Sequence, residues 1–108
     1  MIGTLKKLFG IGPKVNFAEL LQQGGIIVDV RTKGEYASGA IGKSINIPLD
    51  QLKNNLGKLK DKNAPIITCC ASGMRSASAK QLLKANGYTN VHNGGGWYGL
   101  RNKIWGRD

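Results

Sequence analysis

Cysteine is scarce in this sequence, and its two copies, Cys69 and Cys70, are neighbours. Adjacent cysteines rarely pair, because the small ring they would close is strained, and the chain holds no third cysteine. A structural disulfide is therefore not expected, and reduced thiols in a reducing compartment fit better. Histidine is scarcer still. One Cys pair and the distant His92 do not supply four zinc ligands at usual spacings, so no zinc site is expected. Long apolar runs are also missing: nothing approaches the roughly 20 residues a membrane span needs. Lys6 and Lys7 are not followed by an apolar stretch of signal-peptide length, and a cytoplasmic protein is expected. Acidic residues number 6 against 16 Lys and Arg, for a net charge of +10. The basic residues form no block of like charge, and two Trp, three Tyr and two Phe are too few to interleave with them as in a nucleic-acid binder. The charge reads as a solvated basic surface, with recruitment of anionic substrates or acidic partners as its second use, and no nucleic-acid partner is expected.

What is present describes one ordinary globular domain: 108 residues, 41% hydrophobic and 20% charged, allow a single modest core. Residues 1–14 form an N-terminal extension in which Leu5, Leu8, Phe9 and Ile11 mix with Lys6 and Lys7 before Gly10, Gly12 and Pro13 break the pattern. A short amphipathic helix there would be marginal alone. The domain covers residues 15–108. Asn16-Phe17-Ala18-Glu19 has the form of a helix start, with Asn16 as N-cap, and the helix would run through Leu20 and Leu21 to Gly24-Gly25. Residues 26–30 read as a strand apolar on both faces, as in a central parallel strand. Asp29 interrupts it, and a buried carboxylate there needs Arg31 or backbone donors.

A short helix over 32–38, holding Glu35 and Tyr36, leads to a turn at Gly39–Gly42 and a brief strand over 44–47. Pro48 then introduces a helix with Leu49, Leu52, Leu56 and Leu59 close to one face. A polar loop precedes a third strand over 66–69, followed by a helix ending near Gly87. A strand over 88–92, a flexible turn at Asn93–Gly96 and a last helix from Trp97 to Trp105 complete the chain. The alternation predicts an α/β fold with a mostly parallel sheet and helices on both faces. In such sheets ligands bind beyond the carboxyl ends of strands.

Cys70 falls at such an end. The stretch Thr68-Cys69-Cys70-Ala71-Ser72-Gly73-Met74-Arg75-Ser76 hands a buried strand over to a helix through a short, small-sided turn that ends in an arginine. Backbone N–H groups of such a turn point inward, and the helix adds the positive end of its dipole. A thiol held there loses its proton easily. The pattern predicts an anion cradle around a nucleophilic sulfur.

Over residues 15–105 the sequence resembles the single-domain rhodanese family of sulfurtransferases. The residues that carry the resemblance are Val28-Asp29-Val30-Arg31, Glu35-Tyr36 with Gly39 and Ile41, Ile45-Asn46-Ile47-Pro48, Cys70 through Ser76, and Gly94-Gly95-Gly96-Trp97. The resemblance implies a five-stranded α/β domain and a catalytic cysteine, Cys70, that cycles through a persulfide. It makes Ala71, Ser72, Gly73, Met74 and Arg75 the substrate-binding loop and matches Asp29 and Arg31 to the family's acid–base pair near the strand end. The implied reaction moves a sulfane sulfur from a small anionic donor, thiosulfate or a persulfide, to a thiol, cyanide or protein-cysteine acceptor, and requires no metal or organic cofactor. Two positions depart from the pattern. Ala40 stands where a His often precedes the Ile, and Ala71 stands where the family often has a basic residue, which removes a positive charge from the cradle.

Counting the loop from each cysteine separates two chemistries. From Cys70 to Arg75 the spacing is C-x4-R; from Cys69 it is C-x5-R, the literal phosphatase signature. The shorter ring of N–H donors suits a sulfur on cysteine, the longer one a tetrahedral phosphate or arsenate. Gly73 follows Cys70 by three residues, where glycine lets backbone approach an anion, and from Cys69 that place holds Ser72. Cys69 continues the strand, where cysteine packs as a small hydrophobe, with a resolving-thiol role as its alternative. A persulfide carrier between proteins, and a phosphatase or arsenate reductase, stand as alternatives to the sulfurtransferase. Asp29 is expected to be structural, Glu35 to brace a loop, His92 to be non-catalytic, and Trp97 and Trp105 to pack in the core.

Overall fold

Strand β3 (Ile66–Cys70) is buried at every position, which places it in the middle of a sheet covered on both faces. The computed structural model describes residues 15–105; the helix expected near the N-terminus lies outside them. Strand β1 (Ile26–Asp29) runs parallel beside β3, β2 (Ile45–Asn46) runs parallel beside β1, and β4 (Val91–Gly96) runs parallel beside β3. The order is β2-β1-β3-β4. The α/β architecture is as expected, with four strands among the described residues in place of five.

Helices α1 (Phe17–Gln22), α2 (Lys33–Ala37), α3 (Leu49–Leu52), α4 (Met74–Ala85) and α5 (Trp97–Trp105) connect and cover the strands, with a 3-10 segment over Lys53–Lys58. Successive strand residues point to opposite faces, and this splits the core in two. Ile27, Ile67 and Cys69 pack with Phe17 of α1 and Leu100 of α5. Val28, Ile66 and Cys70 pack with Leu52 of α3 and with Ala79 and Leu83 of α4. Each large aliphatic side chain buried this way contributes roughly 1.5–3 kcal/mol, so both layers are needed to hold the sheet. The inward stripe of α4 is Ser76, Ala79 and Leu83, at helical spacing. Its small members bring the start of α4 close to β3, where Thr68 Oγ1 donates to Ser76 O at 2.8 Å.

Local signals explain most boundaries. Asn16 Oδ1 accepts from Glu19 N at 3.0 Å and caps α1. Thr32 and Glu35 form a reciprocal capping box on α2. Three expectations need correction. The helix after Pro48 breaks at Asn55 (φ −125°), whose side-chain amide donates to Gln51 O at 2.7 Å and competes with the helical ladder. Asn93–Gly96 is not a turn but the larger part of β4. A Cβ at Gly94 would lie 2.8 Å from Ile67 Cγ2 and Leu100 Cδ2, and one at Gly96 would lie 2.8 Å from Ala71 O. Glycine is needed there for close approach. Finally, Trp105 is 61% exposed. The inward stripe of α5 runs through Trp97, Leu100 and Ile104, and Trp105 falls one residue beyond it. No helix among the described residues is long and apolar enough to cross a membrane.

Candidate active site

Cys70 is the last residue of β3, and the loop folds over its sulfur, leaving the residue 1% exposed. Gly73 N–H donates to Cys70 Sγ at 2.9 Å and Ser76 N–H at 3.3 Å, while the thiol lies 3.4 Å from Ser76 Oγ. Gly73 adopts φ +108°, a backbone conformation open to glycine and strained for other residues. Immediately after it α4 begins at Met74, so the positive end of the helix dipole faces the sulfur. Burial is the largest single influence on Cys70 and pushes its pKa up. The Ser76 hydroxyl and the N–H groups of Ser76, Gly73 and Ser72 together outweigh it and hold the thiol below the ordinary cysteine value.

Cys69 differs in every respect. Its side chain joins the layer of Phe17, Ile27, Ile67 and Leu100. In register it stands opposite Asp29 of β1. Burial, and then the Asp29 charge, push its thiol far above the ordinary range, with Arg31 offsetting only part. Facing away from the loop, Cys69 cannot begin the longer C-x5-R ring.

The candidate loop residues take different places. Gly73 and Ser72 offer backbone N–H groups toward the sulfur. Ala71, Ser72 and Met74 are exposed at the rim. Arg75 turns to Glu35 in a bidentate pair, Nη1 to Oε1 at 2.8 Å and Nη2 to Oε2 at 2.9 Å. The Arg75 hydrogen bonds, followed by those from Thr32, hold the Glu35 carboxyl down at about 2.

Asp29 and Arg31 lie on the Cys69 side of the sheet. Asp29 is fully buried, and Arg31 reaches it through Nε at 3.0 and 3.1 Å and Nη2 at 2.8 Å. Two further guanidinium donors go to Glu35 O at 3.2 Å and Gly39 O at 2.7 Å, with Trp97 stacked 4.7 Å from the charge. The pair braces α2 and the turn after it, and α2 presents Glu35 to Arg75. Its link to the active loop is therefore mechanical. His92 bonds Asn90 Oδ1 at 2.7 Å, and burial lowers its pKa.

Two residues around the sulfur carry no role that a sequence pattern indicates directly: Ser76 and Asn93. Asn93 Oδ1 lies 2.6 Å from Ser76 Oγ. Ser76 was open to detection as a hydroxyl in the inward stripe of α4. Asn93 carried no such signal, since its place depends on a bulge in β4.

A Rhodanese-like domain family model matches residues 15–103, and the chain belongs to that family. It is similar to a Rhodanese domain-containing protein of Drosophila melanogaster, 42% identical over 78 residues, covering 60% of this chain and 70% of the relative. Thiosulfate sulfurtransferase PspE of Escherichia coli is 37% identical over 70 residues, covering 64% of this chain and 67% of that protein. A solved structure of a human single-domain sulfurtransferase superposes with a TM-score of 0.69 at 28% identity, covering 78% of this chain and 87% of the other.

Proposed function

We infer that the protein is a sulfurtransferase that carries sulfane sulfur on Cys70. The observation that carries this reading is the pair of backbone donors, Gly73 N–H and Ser76 N–H, converging on Cys70 Sγ at 2.9 and 3.3 Å. Similarity to proteins named as thiosulfate sulfurtransferases supports it. The Cys70 thiolate attacks the outer sulfur of thiosulfate, a new S–S bond forms, the old one breaks, and sulfite leaves with the electron pair. Cyanide, a thiol or a protein cysteine then attacks the outer sulfur of the persulfide and returns Cys70 as thiolate. Loop N–H groups stabilise the sulfur anion at each stage, as oxyanion-hole donors do. The cycle calls on no cofactor, and reduced thiols suit a cytoplasmic setting.

One observation favours a persulfide carrier as a second reading. Position 71 is alanine, and Arg75, the loop's one cationic side chain, spends both terminal nitrogens on Glu35. A free dianion then meets less attraction than a persulfide delivered by a docked protein. Intact-mass measurement after thiosulfate, before and after cyanide, separates the two. Gain of one sulfur, discharged as thiocyanate, is expected of the enzyme. Loading only from a persulfide-bearing protein marks the carrier, and no loading from either source contradicts both.

A further inference from the structure

Ser76 is fully buried, and its hydroxyl has one proton to give. Three acceptors surround it: Asn93 Oδ1 at 2.6 Å, Gly73 O at 3.0 Å and Cys70 Sγ at 3.4 Å. The neighbours of Asn93 fix which way its amide points. Gly95 N–H donates to Oδ1 at 2.9 Å, and Nδ2 faces Gly73 O at 3.4 Å. Oδ1 therefore looks at the hydroxyl and is the nearest of the three acceptors. With Cys70 protonated, its S–H donates to Ser76 Oγ and Ser76 gives its own proton to Asn93. Once the thiol proton leaves to solvent, the sulfur is an anion that only accepts, and charge-assisted bonds to it are the stronger kind. Ser76 can supply one only by turning its hydroxyl away from Asn93.

We propose that Asn93 competes with the Cys70 sulfur for the single Ser76 hydroxyl proton, so that β4 sets how readily the loop thiol ionises. The proposal rests on Cys70 being the reactive thiol and adds the residue that tunes it. Asn93 bonds the hydroxyl, not the sulfur, and is a positioning residue. The fold explains its reach. Between Thr68↔Asn93 and Cys70↔Gly96 the register shifts, so β4 bulges, with Gly95 at φ +80°. Asn93 caps that bulge through Gly95 N–H and from there reaches the active loop. The titratable and charged groups of the surrounding elements are Arg75 of α4 with Glu35 of α2, the Asp29–Arg31 pair and Cys69 on the other face, and His92 of β4 near Lys80 of α4. All of these stay unchanged in the variants that test the idea.

The test follows thiolate ultraviolet absorbance against pH in the full chain, with thermal melting to verify folding. Asn93→Ala removes the nearest competitor and leaves only Gly73 O beside the sulfur, and should lower the Cys70 midpoint by up to about half a pH unit, the scale of one hydrogen bond. Asn93→Asp keeps an acceptor for Gly95 N–H, holds the Ser76 proton more firmly and should raise the midpoint. In a Ser76→Ala background, Asn93→Ala should have no effect, and Asn93→Asp should keep only its through-space charge effect. Equal shifts with and without the Ser76 hydroxyl, or no shift from Asn93→Ala with Ser76 in place, overturn the proposal. If Asn93→Ala does not fold, the Asn93→Asp comparison decides alone: a shift undiminished by Ser76→Ala overturns it. Failure of wild-type sulfur loading would strike the sulfurtransferase reading and leave this titration standing.

Discussion

Cys69 and Cys70 are joined by one peptide bond, yet their sulfurs inhabit different chemical worlds. The first packs with Phe17, Ile27, Ile67 and Leu100 beside the Asp29–Arg31 pair, and every nearby influence except Arg31 keeps its proton on. The second lies under a turn of N–H groups at the start of α4, where hydrogen bonding overcomes burial. One step along a strand reverses the face a side chain sees, and here it separates a packing residue from the thiol we propose as the nucleophile. The Cys69 face supplies rigidity: Arg31 ties α2 and Gly39 to the sheet, and α2 offers Glu35 to Arg75. The Cys70 face carries the proposed chemistry.

The contrast can be broken most completely at the sulfurs themselves. Cys70→Ser should abolish sulfur loading from any donor, whereas Cys69→Ser should still load one sulfur at Cys70, as read by intact and peptide mass. Next in size is Asp29→Asn, which leaves Arg31 buried without its countercharge. It should lose about 3–5 kcal/mol in urea unfolding, while the molecules that remain folded still load sulfur. Gly94→Ala should lose about 1–3 kcal/mol in the same assay, because the new methyl is forced against Ile67, Leu100 and the Thr68 carbonyl.

Glu35→Gln should have the smallest effect, since the Arg75 pair is about a third exposed, with side chains at 35% and 37%. Its pH dependence has a definite sign. The folded-state pKa is depressed from 4.5 to about 2, so the stabilisation is fully present above the unfolded value and is lost as pH falls toward the folded one. Wild type should melt slightly above Glu35→Gln at neutral pH, and the gap should close in strong acid. A gap that grew on acidification would contradict the assignment.

The contrast was partly legible in the sequence. Apolar runs at 26–30 and 66–69 marked central strands, the Asn16 cap marked a helix start, and Cys70 at a strand end before Gly73 marked the cradle. The continuation of the strand through Cys69 also marked it as a packing residue. Partners far apart in the chain were out of reach: Arg75 finds Glu35 across 40 positions, and no local pattern records that pairing. The Asn93–Gly96 run reads locally as a turn, because its glycines answer to Ile67, Leu100 and Ala71 and not to their own backbone preference. The break at Asn55 likewise depends on a side chain choosing the Gln51 carbonyl over solvent.

The central claim is that the loop, not mere thiol content, makes one of two adjacent cysteines reactive. Timed alkylation of the native chain with iodoacetamide across pH, read cysteine by cysteine by peptide mass spectrometry, tests it most directly. Cys70 should label with a midpoint below that of a free cysteine while Cys69 stays unmodified throughout. Labelling of Cys69 first, or a Cys70 midpoint at or above the free-cysteine value, would contradict it.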